Sequence, residues 1–461
     1  MNDGAAPTSL SKRAVADKLL DRLRTTSAAP AAEKAAPRRT SPLAAGRRAA
    51  DFAALPEYQA LRVQRAAADM LKIEVPLFRM HEGRAADTTV VDGRHAVNFS
   101  TYDYLALNGD RRVVAAAKEA IDRYGTSVGA SRPTAGERPI YRELEAALAK
   151  LHGTEDALCF VSGHATNVTV IGCLLNKKDL IIADALSHNS ILEGAKLSGA
   201  TVVVFPHNDL DALEILLREH RPRHRRAMIV VEGLYSMDGD IPDMRRLLPI
   251  KRRHDAWLMV DEAHSDGVLG EHGRGIAEEQ DIDPTEVEIW MGTLSKAFAS
   301  TGGYIAGSRP LIEYLKLQAP GFLYSVGMPP AMAAAALAAL QILEQEPGRV
   351  AALRANGALF LQRARAAGLD VGMSIGASVV SVMTGDTLTT VLLANRLLQL
   401  GLYVVPIIFP AVGEKQGRLR FFITARHTAQ QIETAVDLTA RELSRLRKEA
   451  PLAMGLAQVG S

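Results

Sequence analysis

Val287-Glu288-Ile289-Trp290-Met291-Gly292-Thr293-Leu294-Ser295-Lys296-Ala297 is an apolar run that ends by delivering a lysine among small and hydroxyl residues. Val287 to Met291 reads as a short buried strand, and the mostly small residues from Phe298 to Gly303 follow. A lysine leaving a core strand in this way has two readings. It is a solvated loop lysine, as most lysines are, or an amine set in a closed pocket to form a Schiff base with a carbonyl cofactor, Thr293 and Ser295 donating to a phosphate. Six residues, GTLSKA, do not decide between them.

Working outward, the same kind of apolar run recurs at Ala157 to Val161, Leu180 to Ala183, Thr201 to Phe205, Ala227 to Val231, Trp257 to Val260 and Gly303 to Ala306, with helical patterns between many of them. Continuous Val/Ile/Leu strands separated by helices predict an α/β fold with a mostly parallel central sheet covered on both faces. In such sheets ligands sit at the carboxyl ends of the strands. Upstream, Arg111 to Tyr124 is a predicted helix stopped by Gly125. Thr126 to Glu137 reads as a polar loop with little local order, and Pro139 opens a helix bearing Ile140, Leu144, Leu148 and Leu151 on one face. Asn98 to Tyr104 reads as a strand entering a turn. Beyond Pro329 an Ala-rich helix, helices near 350 to 368 and 386 to 400, and strands at Ser378 to Met383 and Leu419 to Ile423 predict a smaller α+β domain.

With 461 residues, 48% hydrophobic and 23% charged, the chain has material for a large domain and a smaller one. No apolar run reaches the roughly 18 residues that span a bilayer. A net charge of +2 gives no argument for a nucleic-acid partner. Cys159 and Cys173 lie in apolar contexts without metal-ligand spacing, so they read as buried free thiols in a reducing compartment, with no metal site expected. Residues 1 to 50 are distinct: ten Lys and Arg stand against four Asp and Glu. They read as a basic, mostly disordered extension, with a helix at Ser9 to Arg24 carrying Val15, Leu19, Leu20 and Leu23 on one side. That helix is read as a frayed end, an organelle transit peptide or a docking helix for a partner.

Polar residues fall where the apolar strands stop. Trp257 to Val260 runs into Asp261-Glu262-Ala263-His264, which suits the Mg-site strand of an NTPase, but no GxxxxGKS phosphate loop occurs in the chain. With a pyridoxal phosphate on Lys296 the same strand end makes sense, because the pyridine nitrogen needs a carboxylate opposite it and Asp261 is in place. His264 is then within reach of the ring hydroxyl or the substrate, and His188, in Asp184-Ala185-Leu186-Ser187-His188, offers a flat face for the ring. Ser162-Gly163-His164-Ala165-Thr166-Asn167, after another strand, supplies backbone donors for the phosphate at a helix start.

From about Asp51 to about Lys448 the chain resembles the α-oxoamine synthase family of pyridoxal-phosphate enzymes, which includes 8-amino-7-oxononanoate synthase and serine palmitoyltransferase. NFSTYDYLAL (98 to 107), SGHATN (162 to 167), DALSHNS (184 to 190), EGLYSMDGDI (232 to 241), VDEAH (260 to 264), GEHGRG (270 to 275), GTLSKA (292 to 297), TGGY (301 to 304) and RLRFFITARHT (418 to 428) carry the resemblance, in the family's order. It implies the fold type I architecture of PLP-dependent transferases. It also implies that Lys296 forms the Schiff base and shuttles the Cα proton, Asp261 pairs with the ring nitrogen and His188 stacks on the ring. His264 and Ser236 are expected near the ring hydroxyl, with His264 also near the thioester carbonyl. Gly163, His164 and Thr293 are expected on the phosphate, Ser325 on the phosphate of the neighbouring subunit in a homodimer, and Arg420 on the substrate carboxylate, with Tyr102 lining the substrate side. The implied activity is a decarboxylating condensation of a small amino acid with an acyl thioester, carried on CoA or on an acyl carrier protein, in the cytoplasm or behind a mitochondrial transit peptide.

Departures are specific. Tyr102-Asp103-Tyr104 is closer to serine palmitoyltransferases than to other members, His164 stands where the family usually has Phe or Tyr, and Gly327 replaces a frequent hydroxyl. Residues 125 to 145 resemble members attached to polyketide assembly lines. An aminotransferase, a carrier-dependent offloading enzyme, a non-catalytic partner subunit and a scaffold protein are the rival readings. The expected layout is an extension at 1 to 50, a helical segment at 51 to 97, a cofactor domain at 98 to 328, a small domain at 329 to 450 and a tail at 451 to 461.

Overall fold

The computed structural model describes residues 51–70 and 73–459, so the helix expected at Ser9 to Arg24 and the rest of the basic extension lie outside the described residues. Phe78–Arg445 forms one compact unit, and the described residues before and after it belong to another. The second of these contributes helix α1 (Pro56–Met70).

The larger unit begins with strands β1 (His81–Glu82), β2 (Thr88–Val91) and β3 (Arg94–Asn98), then helices α2 (Arg111–Tyr124) and α3 (Pro139–Leu151). Then strands and helices alternate: β4 (Asp156–Phe160), α4 (Gly163–Leu174), β5 (Leu180–Asp184), α5 (Asn189–Ser198), β6 (Thr201–Phe205), α6 (Leu210–His220), β7 (Ala227–Glu232), α7 (Met244–Arg253), β8 (Trp257–Asp261), α8 (Ile276–Gln280), β9 (Ile289–Thr293) and β10 (Gly303–Gly307). The seven apolar runs of the sequence are the seven strands of one sheet, ordered β4-β10-β9-β8-β7-β5-β6. β9, β8, β7, β5 and β6 run parallel, while β10 is antiparallel to both β4 and β9. Every residue of β5 and β7 is buried, as expected of central strands with helices on both faces. β6 is an edge strand, and its Val202 and Val204 are exposed despite a sequence that reads like the others.

After helices α9 (Arg309–Gln318), α10 (Pro320–Leu323), α11 (Pro330–Gln345) and α12 (Gly348–Ala366), a second sheet forms from β11 (Val379–Gly385), β13 (Val405–Ile407) and β14 (Gly417–Phe422), all antiparallel. Between them lie α13 (Thr387–Gln399) and β12 (Leu402–Tyr403), which pairs in parallel with β3; α14 (Ala429–Val459) closes the chain. Among the described residues no helix is long and apolar enough to cross a membrane.

Three local expectations change. Asn98 ends β3 rather than starting a strand, and Phe99 to Tyr104 is held by tertiary bonds such as Phe99 N–H to Tyr403 O at 2.9 Å. The segment 126 to 137 is more ordered than its polarity suggests. Buried Arg132 pairs there with Glu145 and with Glu137, the latter at 2.7 Å. Cys159 is buried, but Cys173 is only half-buried.

Candidate active site

β9 and β10 form a hairpin around the lysine. Thr293 faces Gly303 across the ladder, and the excursion between them is closed by Leu294 N–H to Gly302 O at 3.0 Å and Ala299 N–H to Lys296 O at 3.0 Å. Lys296 therefore leaves the sheet on a short, internally bonded loop, with Ala299 at φ 49° making the turn. Its side chain borders a cavity of about 530 Å³ shared with Tyr102, Ser295, Asn98, His81, Arg84 and Tyr403. A larger cavity, about 730 Å³ beside Arg132 and Phe322, contains none of the expected site residues. Desolvation pulls the Lys296 amine down to about 8, against the opposing charges of Asp261 and Glu232.

Asp261 ends β8, the strand next to β9, and is buried. Asn167 Nδ2 donates to its Oδ2 at 2.9 Å and Ala263 N–H to its Oδ1 at 3.0 Å. Asn167 lies one turn into α4, so the helix whose N-terminus carries Gly163 also orients this carboxylate. The same amide donates to Ser190 Oγ at 2.9 Å, and Ser190 Oγ lies 2.7 Å from Nδ1 of His188, the residue capping α5. His188 N–H donates to Glu232 Oε1 at 2.7 Å, and Ser236 N–H to Glu232 Oε2 at 3.3 Å. Burial, reinforced by Asp261, raises the Glu232 carboxyl to about 8.

From β14 Arg420 reaches the loop after β7, its Nη1 donating to Ser236 O at 3.1 Å. Its guanidinium sits 4.7 Å from the Phe422 ring centroid, while buried Nε has no hydrogen-bond partner. Among the described residues no carboxylate bridges Arg420, which leaves a desolvated cation with donor capacity toward the site. Its own pKa is lowered by that burial. Phe422 also underlies His264, ring on ring at 6.3 Å and 9°, and meets Tyr102 edge-on at 4.7 Å. His264 Nδ1 is 2.7 Å from the hydroxyl of buried Tyr104. Burial holds the imidazole neutral, well below its ordinary pKa, and pushes the Tyr104 hydroxyl up.

The phosphate end is a close approach of backbones. A Cβ on Gly163 would meet Thr293 Oγ1 at 3.0 Å, and one on Gly303 would fall 2.8 Å from Gly163 N. The first turn of α4 thus lies flat against β9 and β10; Ser162 Oγ caps Ala165 N–H at 3.1 Å and Ser162 O takes Thr166 N–H at 3.0 Å, which among the described residues leaves the amides of Gly163 and His164 for an anion. Thr293 Oγ1 is 2.8 Å from Ser295 Oγ, and exposed His164 meets His188 edge-on at 6.4 Å. Ser325 takes no part in this network; its hydroxyl accepts from Gly327 N–H at 3.3 Å. Sequence reading missed Tyr104, Glu232 and Asn167 as site residues. All three stood inside quoted segments: Tyr104 two residues after Tyr102, Asn167 four after Gly163, where the helical spacing signals it, and Glu232 at the head of EGLYSMDGDI.

These residues fit pyridoxal phosphate: a desolvated amine, a fixed buried carboxylate on the adjacent strand and a helix start crowded to backbone contact. Among the described residues no cluster of metal ligands occurs.

The family model for aminotransferase class I and II matches residues 94–438. The 8-amino-7-oxononanoate synthase of Beijerinckia indica is 41% identical over 351 residues, 76% of this chain and 89% of that one, and the Bacillus pumilus enzyme of the same name is 36% identical over 365, 79% and 92%. Among solved structures, the serine palmitoyltransferase of Sphingomonas wittichii superposes with a TM-score of 0.82 at 29% identity, covering 86% of this chain and 99% of its own. That of S. paucimobilis, solved with a PLP–myriocin adduct, gives 0.82 at 28% with the same coverage.

Proposed function

The chain belongs to the aminotransferase class I and II family and within it to the α-oxoamine synthases, and from that premise we propose a division of labour for its PLP-dependent, decarboxylating condensation of an amino acid with an acyl thioester. The cofactor, when bound, supplies an electron sink for the substrate Cα. Lys296 would be its attachment point and the base that moves the Cα proton. Asp261 would keep the ring nitrogen protonated, His188 would cover one ring face, and Gly163, His164 and Thr293 would hold the phosphate.

Arg420 carries the reading. A half-buried guanidinium seated on the Ser236 carbonyl, its buried Nε unpartnered and, among the described residues, no carboxylate paired with it, is suited to take the substrate carboxylate bidentately. Held there, the amino acid presents its Cα–H to Lys296, and the group that Arg420 grips leaves later as CO2. His264, neutral and fixed by Tyr104 at Nδ1, keeps its proton on Nε2 when Tyr104 donates, which gives a donor for the oxyanion at the thioester carbonyl. Ser325 completes the phosphate site of a second copy of the chain.

The direct test is the visible absorbance of the purified protein, which should disappear in Lys296→Ala, with borohydride fixing the cofactor to Lys296 in the parent. Label on another lysine would sink the assignment. Mass spectrometry of products from a panel of amino acids and acyl thioesters then identifies both substrates. For the acyl source we propose a carrier protein docked by the basic residues 1 to 50. Deleting them should raise KM for an acyl carrier substrate, more at low salt, while leaving turnover of acyl-CoA unchanged. Equal loss with both donors would exclude a docking role.

A further inference from the structure

His207 stands two residues past β6, at the C-terminal edge of the main sheet, and both of its ring nitrogens are engaged. Nδ1 lies 2.8 Å from Asp184 Oδ1 and Nε2 lies 2.9 Å from Asp240 Oδ2, with the Tyr235 ring edge-on at 4.5 Å. Carboxylate oxygens on both sides require a hydrogen on both nitrogens, so the ring is an imidazolium. Burial opposes that charge, but Asp184 and Asp240 outweigh it and hold the pKa at about 10. Asn208, at φ 54°, repeats the bridge: its N–H donates to Asp184 Oδ2 and its Nδ2 to Asp240 Oδ2, each at 2.8 Å.

Each carboxylate belongs to a segment that ends in a site residue. Asp184 Oδ1 also accepts from Leu186 N–H at 2.8 Å and Asp184 O from Ser187 N–H at 3.0 Å, which shapes the turn leading to His188. Asp240 O accepts from Tyr235 N–H at 2.9 Å and closes the loop whose Ser236 carbonyl seats Arg420. Glu232 joins the same two segments from the sheet side.

We propose that His207 is a positioning residue for the amino-acid half of the site: doubly bonded between Asp184 and Asp240, it locks the His188 turn to the Ser236 loop and so fixes the spacing between the ring-covering histidine and the arginine that takes the substrate carboxylate. The proposal rests on the roles given above to His188 and Arg420. His207 touches no reacting atom, so its removal is felt in how the amino acid is seated.

The test uses the full-length, cofactor-loaded protein with His207→Gln, which keeps a donor without charge, and His207→Phe, which keeps the ring. Both should retain the Lys296-dependent absorbance. Their dissociation constant for the amino acid, read by spectral titration, should rise about tenfold, more in Phe than in Gln, with a smaller change in kcat. In the parent, the imidazole nitrogen shifts of His207 should stay those of an imidazolium from about pH 6 to about pH 9. Asp240→Asn should lower that titration and reproduce the binding loss. Unchanged amino-acid affinity in the variants overturns the proposal, even if the melting temperature falls, as does a parent His207 that titrates below about pH 8. If His207→Phe fails to fold, Asp240→Asn and the nitrogen shifts decide. Failure of the underlying reading shows itself elsewhere, as absorbance that survives Lys296→Ala.

Discussion

A folded-state value of about 8 for Lys296, against 10.5 for the free side chain, makes two predictions of opposite bearing. The neutral amine is the form that captures a carbonyl, so cofactor uptake by stripped protein should accelerate with pH around a midpoint near 8, followed by stopped-flow absorbance. A midpoint above about 9.5 would mean that the amine is not desolvated. For stability the sign is the reverse of a partnered lysine. Between the two values the unfolded chain binds more protons than the folded one, so the cost of burying Lys296 is present at neutral pH and fades as pH rises through that window. At Tyr104, replacement by Phe leaves buried His264 Nδ1 without its partner. That should cost about 1–3 kcal/mol by denaturant titration, and kcat/KM should fall about tenfold or more as the imidazole loses its orientation. Residues such as Lys296 and Asp261 were legible because Asp261 ends an apolar strand and Lys296 follows another by three residues. Tyr104 and His207 were not, because their partners come from elements 160 residues or a whole strand-helix unit away.

Among elements, strand identity was readable wherever burial on both faces imposed a run of apolar residues, as in β5 and β7. The small pieces escaped: β2 carries two threonines, β12 is two residues long, and their order comes from pairing with β3. Arg132 shows the same limit, since a polar segment became ordered through Glu145, thirteen residues on. The antiparallel direction of β10 was equally silent, although the short link after Lys296 required it. Gly303 tests this geometry. A Cβ there would lie 2.8 Å from Gly163 N and 2.7 Å from its Cα, contacts that backbone cannot relieve. Gly303→Ala should lower stability by about 1–3 kcal/mol and weaken cofactor binding with it, because α4 must lift from the sheet. Gly163→Ala meets a threonine side chain instead, and its melting temperature should fall less.

For the whole molecule, Tyr324 is 87% exposed and Val326 49% exposed, flanking Ser325. An apolar pair held out beside a hydroxyl that serves no site of its own chain argues for burial against a second copy. Light scattering should return twice the chain mass, and Tyr324→Glu should shift it toward the monomer with loss of cofactor affinity. An active parent monomer would rule this out. The loop after β7 has a wider consequence. Arg418 pairs with Asp238, Ser381 Oγ donates to Met237 O, Ser374 Oγ to Asp238 O, and Arg420 rests on Ser236 O, so the small sheet is docked onto one peptide that the large sheet shapes. Transplanting strands 379–422 from a relative to change substrate choice would import arginines whose carbonyl sockets stay behind. Such a chimera should succeed only when residues 233–241 travel with the graft, making this nonapeptide the natural seam along which specificity is exchanged.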